Sequence, residues 1–335
     1  MTHRPHPETD PEHVAPVVPG EPEVEVPDAG SPRGMMVGLV GIGVATVLAI
    51  VFSIPKAGDA LLSIPEAILL GIVEGLTEFL PISSTGHLLV TNDLLGLAET
   101  DKAKEASDAY AIAIQAGAIV AVLGLYRHRV ANALASIAGK GADPVAGRRL
   151  LAALIIAFLP AAVVGFLAKD LITEYLFGPW PVVAAWVVGG IVILAWPKIR
   201  DGGRPLEVIT WRDGIIIGLV QVISMWPGTS RSLVVILASL AVGLSLAASV
   251  EFAFLLGLIT LGAATLYESM KQGGTIVDQF GVGAPIVGFI AAFITAAASV
   301  IWMVDYVQRR GLRIFGWYRI AAGIVVAVLA LTVMN

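Results

Sequence analysis

A helix needs about 20 residues to cross the hydrocarbon core of a bilayer. Apolar runs of that length recur along this chain near 35–54, 108–126, 149–168, 181–197, 250–267, 284–304 and 316–334. Two further regions, about 64–97 and 212–242, are equally apolar but interrupted, each by a proline and a Ser/Thr cluster near its middle. In lipid, every backbone polar group must be satisfied inside a helix or a closed barrel. A barrel would show short alternating segments, and these runs are long and unbroken. The expected fold is therefore an all-α polytopic membrane protein. Composition agrees: 57% of the residues are hydrophobic and 14% charged, against about 25% charged in soluble domains. With no cysteine, disulfides, thiolate catalysis and cysteine-ligated metals are excluded. Nothing in the sequence points to nucleic acid.

Residues 1–34 are a different material, with eight prolines, seven acids and few large apolar side chains. Such a segment cannot bury enough surface to offset its ordering entropy, so a disordered acidic tail is expected. The first apolar run begins at Met35, too late for a secretory signal, and 35–54 is expected to be a retained span.

Loop charge orients the spans. Arg127, Arg129, Lys140, Arg148 and Arg149 fall in one loop; Lys198, Arg200, Arg204 and Arg212 in a second; Arg309, Arg310, Arg313 and Arg319 in a third. Segments 169–180 and 267–283 each carry one lysine and two acids. The positive-inside rule makes the first three cytoplasmic and the last two external. Parity then requires 212–242 to enter and leave on the cytoplasmic side and 64–97 on the external side. The first span runs outward, with the acidic tail inside. Parity does not separate a re-entrant loop from an even pair of short spans. The two regions also resemble each other: Gly71-Ile-Val-Glu-Gly75-Leu-Thr-Glu78 aligns with Gly214-Ile-Ile-Ile-Gly218-Leu-Val-Gln221, and Pro81-Ile-Ser-Ser-Thr with Pro227-Gly-Thr-Ser-Arg. Opposite topologies make this an inverted repeat, an arrangement that puts broken helices and a polar site near the midplane.

The first interrupted region concentrates chemistry. Glu74 and Glu78, four residues apart, share a helix face. Ser63-Ile-Pro-Glu66 is a capping box that would start that helix, and Pro81 favours its end. Two acids on one face in hydrocarbon repel and are costly to ionise. A divalent cation removes both difficulties, and magnesium is commonly held by one or two carboxylates plus substrate phosphates; calcium is the other candidate. The alternative is a carboxylate face turned to a wet cavity without metal. Ser83, Ser84, Thr85 and Gly86 follow, then His87, the only histidine at membrane depth. His87 is either a hydrogen-bonded bundle histidine or a general acid/base or nucleophile.

The second region supplies the opposite charge. In Trp226-Pro227-Gly228-Thr229-Ser230-Arg231-Ser232, Arg231 is an intramembrane cation suited to bidentate phosphate recognition. Pro-Gly followed by Thr/Ser predicts a turn into a new helix, whose free N–H groups favour an anion. Arg231 can also serve as counter-ion to Glu74 or Glu78. Together these groups fit phosphoryl chemistry, and a site inside the bilayer implies a phosphate carried on a lipid.

Glu74-Gly-Leu-Thr-Glu78-Phe-Leu-Pro-Ile-Ser-Ser-Thr-Gly-His87 closely resembles the first motif of the undecaprenyl-diphosphatase family of bacitracin-resistance type. Pro227-Gly-Thr-Ser-Arg231-Ser232 resembles its second, and Gln115-Ala-Gly-Ala-Ile, Glu251-Phe-Ala-Phe-Leu-Leu and Tyr318-Arg319 resemble weaker blocks. The resemblance covers about 63–335. It implies six spans with two re-entrant helix–loop–helix regions; the span at 35–54 is extra. It also implies hydrolysis of undecaprenyl diphosphate to undecaprenyl phosphate and phosphate at the external face of the bacterial inner membrane. That would recycle the lipid carrier of peptidoglycan synthesis and give bacitracin resistance. By the same resemblance Glu74 and Glu78 are metal-binding catalytic acids, Ser84 a nucleophile or phosphate contact, His87 the essential histidine and Arg231 the phosphate-binding arginine. Ser83, Thr85, Gly228, Thr229, Ser230 and Ser232 complete the expected phosphate-binding set. The chain departs from the family where Ser-Gly-Ala-Thr becomes Ser232-Leu-Val-Val235, which would place bulk beside the phosphate, and near Thr260, where a proline is usual.

Two other readings are weighed against this one. A lipid flippase would suit inverted repeats, but translocation does not obviously need the Glu/Glu/Ser/His/Arg set. The phosphatidic-acid-phosphatase superfamily needs a second histidine shortly after its Ser-Arg pair, and none is present. No motif encodes the oligomeric state, and a homodimer is one option.

Overall fold

The computed structural model describes residues 62–97, 101–196, 203–280 and 283–332. The tail 1–34 and the expected span 35–54 lie outside the described residues. Eleven α-helices are found among the described residues: α1 (Ile64–Thr77), α2 (Ser84–Leu94), α3 (Asp101–Leu125), α4 (Arg127–Ala135), α5 (Pro144–Leu176), α6 (Pro179–Ala195), α7 (Trp211–Gln221), α8 (Arg231–Ala241), α9 (Leu246–Phe280), α10 (Gly283–Arg310) and α11 (Arg313–Thr332). Among the described residues, four segments are long and apolar enough to cross a membrane: Pro144–Leu176, Leu246–Lys271, Gly283–Arg310 and Arg313–Thr332. Ala109–Leu125 and Arg127–Ala138, bent by 71°, make a fifth if taken as one span, while Pro179–Ala195 is shorter. The protein is thus a multi-pass membrane protein.

Both interrupted regions are helix–break–helix. In the first, α1 starts from the expected capping box, with Ser63 N–H donating to Glu66 Oε2 at 2.7 Å and Glu66 N–H to Ser63 Oγ at 3.4 Å. In the second, Thr210 and Asp213 cap α7 in the same way. After each break a serine caps the next helix: Ser83 before α2 and Ser230 before α8, with φ of 76° and 71°. These are left-handed backbone positions held by non-glycine residues, which cost free energy unless the surroundings enforce them. Each hydroxyl accepts an N–H three residues on, from Gly86 and from Leu233, so a helix end that would lack partners is satisfied. The letters of the sequence pair Ser83 with Thr229; the backbone pairs it with Ser230. The shift of one residue arises after the prolines: Ser83 follows Pro81 by two residues and Ser230 follows Pro227 by three, with Gly228 at φ of 91° inside the longer turn.

Packing crosses between the halves. Helix α1 lies along α10 and α7 along α5, while α6 lies along α11. Small residues make the first two contacts: Gly71 and Gly75 meet Gly288 and Ala292, and Gly214 and Gly218 meet Ala153 and Ala157. Where lipid removes the hydrophobic drive between helices, such close backbone approach is the main source of association. An added Cβ at Gly75 would meet the Ala296 backbone N at 2.8 Å, with the Ala292 carbonyl also in the way. Gly75→Ala is expected to destabilise the protein by about 1–3 kcal/mol through overpacking, read as a lower melting temperature in detergent; an unchanged melting temperature would refute the tight contact.

The tip of the first break enters an apolar cluster that includes Phe79, Leu80, Ile82, Phe252 and Phe254. Leu233 and Val235 are buried in the same cluster. Their bulk therefore fills the core and does not stand in the cavity described below, contrary to the sequence expectation. Arg319 is a second correction. Counted with the cytoplasmic loop charges, it is a helical residue of α11 with no exposed surface.

Candidate active site

Glu78 is the joint of the site. It is the C-cap of α1, at the start of the first break. The Ser84 hydroxyl, at the first position of α2, donates to Glu78 Oε2. Arg231 Nη2, at the first position of α8, donates to Glu78 Oε1 at 3.3 Å. The breaks touch again where Ser230 Oγ donates to the Leu80 carbonyl at 3.3 Å and Ser232 Oγ to the Glu78 carbonyl at 3.5 Å. Two helix N-termini and a guanidinium thus face one carboxylate–hydroxyl pair, a setting that favours an anion.

Arg231 is held on several sides. Nη1 donates to the Ala253 carbonyl at 3.1 Å, and the guanidinium lies 5.8 Å from the Phe79 ring centroid. Gly257 leaves the space that the guanidinium fills: a Cβ there would lie 2.8 Å from Arg231 Cζ. Arg231 Nε is buried and has no hydrogen-bond partner. Glu74, one turn before Glu78 on α1, is 1% exposed, and its Oε2 likewise lacks a partner. Buried polar atoms without partners are costly and rare; here a donor and an acceptor are both left open.

His87 lies away from these groups. Its Nδ1 is 2.6 Å from the Ser83 carbonyl and its Nε2 is 2.7 Å from the Tyr318 hydroxyl. A carbonyl only accepts, so Nδ1 carries a proton, and in the neutral ring Nε2 accepts from Tyr318. The Trp186 ring is 4.6 Å away, tilted, and Tyr318 stacks at 5.7 Å.

A cavity of about 640 Å³ opens onto the site. Glu78, Ser83, Ser84, Thr85, Gly228, Ser230 and Arg231 line it; Glu74, His87, Thr229 and Ser232 are not among its lining residues. It follows α5 and α9 from Phe158 and Thr260 to Lys169, Asp170, Glu268 and Lys271. That is roughly 16 Å along a helix. At its charged end Lys169 on α5 pairs with Glu268 on α9.

The donor set suits a hard cation. Glu74, Glu78 and Ser84 offer only oxygen, and the unpartnered Glu74 Oε2 would offer such an ion a ligand. Among the described residues no group of three or more His, Cys, Asp or Glu side chains forms a closed metal site. Two carboxylates suffice when substrate phosphates complete the shell, as magnesium allows.

The description "Bacitracin resistance protein BacA" matches residues 67–325 of this chain, nearly all of the described fold and every group above. The chain belongs to this family. Among curated relatives, an undecaprenyl-diphosphatase of Sorangium cellulosum is 42% identical over 267 residues, covering 78% of this chain and 84% of the relative. Undecaprenyl-diphosphatase 1 of Chromobacterium violaceum is 42% identical, covering 78% and 94%, and undecaprenyl-diphosphatase 2 of Rhodospirillum rubrum is 43% identical, covering 78% and 93%. In this BacA family member, the structure brings Glu78, Ser84 and Arg231 together as the sequence predicts and sets Glu74 directly behind them. Four residues were not singled out for a site role from sequence: Tyr318, Trp186, Gly257 and Arg319. For two of them the signal is the Tyr318-Arg319 pair, which resembles a family block and stands at the start of the last apolar run.

Proposed function

We propose that this protein hydrolyses undecaprenyl diphosphate to undecaprenyl phosphate and phosphate. The observation that carries the proposal is the Ser84 hydroxyl bonded to Glu78, whose other oxygen holds Arg231, all at one end of a cavity inside a membrane protein. Ser84 Oγ attacks the terminal phosphorus and its proton passes to Glu78 Oε2, the oxygen it already faces; the bond to the bridging oxygen breaks and undecaprenyl phosphate leaves. Arg231, freed from Glu78, turns to the phosphate oxygens together with the N–H groups of α8. Water then cleaves the phosphoserine and releases phosphate. His87 holds the Ser83 turn in place in this scheme, and Ser84 is the nucleophile because it faces Glu78 and lines the cavity, which His87 does not. Glu74 and Glu78 would hold a divalent cation, magnesium or calcium. When bound, it neutralises charge on the phosphate oxygens.

The charged end of the cavity carries Lys169, Asp170, Glu268 and Lys271, from the segments that loop charge assigns to the outside. This supports an active site open to the external face of the inner membrane. The two capped helix–break–helix regions and their crossed packing on α10 and α5 support an inverted repeat.

The test is phosphate release from undecaprenyl diphosphate by purified protein. Ser84→Ala and Arg231→Ala are each expected to lower kcat/KM by on the order of 10²–10⁴-fold. Chelation should stop release and added magnesium should restore it. Acid quench should trap phosphate on Ser84; its absence, with direct incorporation of labelled water, would refute the covalent route. No release from folded wild type, with labelled lipid still crossing liposomes, would favour the flippase.

A further inference from the structure

Arg319 has no exposed surface and makes no ion pair among the described residues. Its hydrogen bonds go to three backbone carbonyls. Nη1 donates to Pro81 at 3.3 Å; Nη2 donates to Gly228 at 2.9 Å and to Ala185 at 2.8 Å. Pro81 belongs to the first break, Gly228 to the second and Ala185 to α6. A buried guanidinium without a carboxylate is costly, and the fold makes room for this one. Gly189 on α6 faces it, and a Cβ there would lie 2.8 Å from Arg319 Cζ and 2.9 Å from Nε. Between the two regions the Ser230–Leu80 and Ser232–Glu78 hydrogen bonds are long, at 3.3 and 3.5 Å, as is the Arg231–Glu78 pair at 3.3 Å. A rigid fork that reaches carbonyls on both sides at once supplies what those contacts lack, and the point charge of a lysine cannot do so.

We propose that Arg319 is a positioning residue that staples the tips of the two breaks together, keeping Glu78 and Ser84 on one in register with Arg231 on the other. Its neighbour Tyr318 reinforces the arrangement, because it holds His87, which holds the Ser83 carbonyl at the start of α2. A single turn of α11 thus fixes both breaks without lining the cavity. The kinetic part of this proposal rests on the phosphatase reading; the structural part does not.

The test compares full-length wild type, Arg319→Lys and Gly189→Ala in nanodiscs, by phosphate release from undecaprenyl diphosphate and by amide hydrogen exchange. Arg319→Lys keeps the charge and loses the fork. Its kcat is expected to fall on the order of 10- to 100-fold, as for misplacement of a reacting group by about an ångström. KM should stay within about threefold, since the groups that bind substrate remain. Exchange should quicken only in peptides covering 78–86 and 226–233. Gly189→Ala, which keeps Arg319 but crowds it, should move both readouts the same way by less, and it serves if Arg319→Lys does not fold. Wild-type kcat with unchanged exchange in both breaks would overturn the proposal, as would exchange raised evenly along the chain. If wild type releases no phosphate, the phosphatase reading falls and the exchange contrast alone decides the staple.

Discussion

Glu78→Gln is expected to lower kcat by on the order of 10³-fold, within the range for loss of a general base. Glutamine keeps the shape and can still accept from Ser84, but it cannot take the proton when Ser84 attacks. It also leaves Arg231 without the carboxylate it pairs with at 3.3 Å. Losing one partner of a buried pair costs about 3 kcal/mol or more, so a lower melting temperature should accompany the kinetic loss. Glu78 and Ser84 act as a unit in this scheme, so Glu78→Gln with Ser84→Ala should be no worse than either alone, the behaviour of a coupled nucleophile and base. Losses that multiply in the double variant would sink the pairing.

Gly257→Ala should cost on the order of 10- to 100-fold in kcat/KM, the scale for shifting a reacting group by about an ångström. The alanine touches no substrate. Its Cβ would occupy the space of the Arg231 guanidinium, whose Nη2 and Cζ would both be 2.8 Å away. Arg231 is held by the Ala253 carbonyl and by Glu78, so it must give up one of these to move. The control is Gly262→Ala on the same helix, where an added Cβ meets nothing within 4 Å. Equal activity of the two variants would show that the snug fit around Arg231 is of no consequence.

The long helices are legible in the sequence because run length alone distinguishes a span. The breaks are legible because a proline with a hydroxyl cluster has little other place in hydrocarbon. Glu78, Ser84 and Arg231 follow, since polar groups at membrane depth must find one another. The rest depends on rotation and packing, which no run of letters displays. His87 is legible as a polar group at membrane depth, but its partners, the Ser83 carbonyl and the Tyr318 hydroxyl, are not. Arg319 reads as a loop charge because it lies near the start of an apolar run, where positive-inside counting gathers every arginine. Gly189 and Gly257 look like ordinary small residues of membrane helices; only the guanidiniums beside them reveal their use. The register of the two interrupted regions slips by one residue because the capping serine follows Pro81 by two residues and Pro227 by three, a difference that matching the prolines conceals.

The size of the cavity bears on which lipids the protein distinguishes. A volume of about 640 Å³ holds roughly twenty atoms if each needs about the room of a water molecule, near 30 Å³. That is room for a diphosphate and about two isoprene units, and would leave the remainder of an eleven-unit tail among the acyl chains. Such a protein would read its substrate at the polar end and leave the tail to the bilayer. Selectivity between prenyl chains of different length is then expected to follow the solubility of the tail in the membrane, with kcat/KM for diphosphates held in the same membrane differing little between tail lengths.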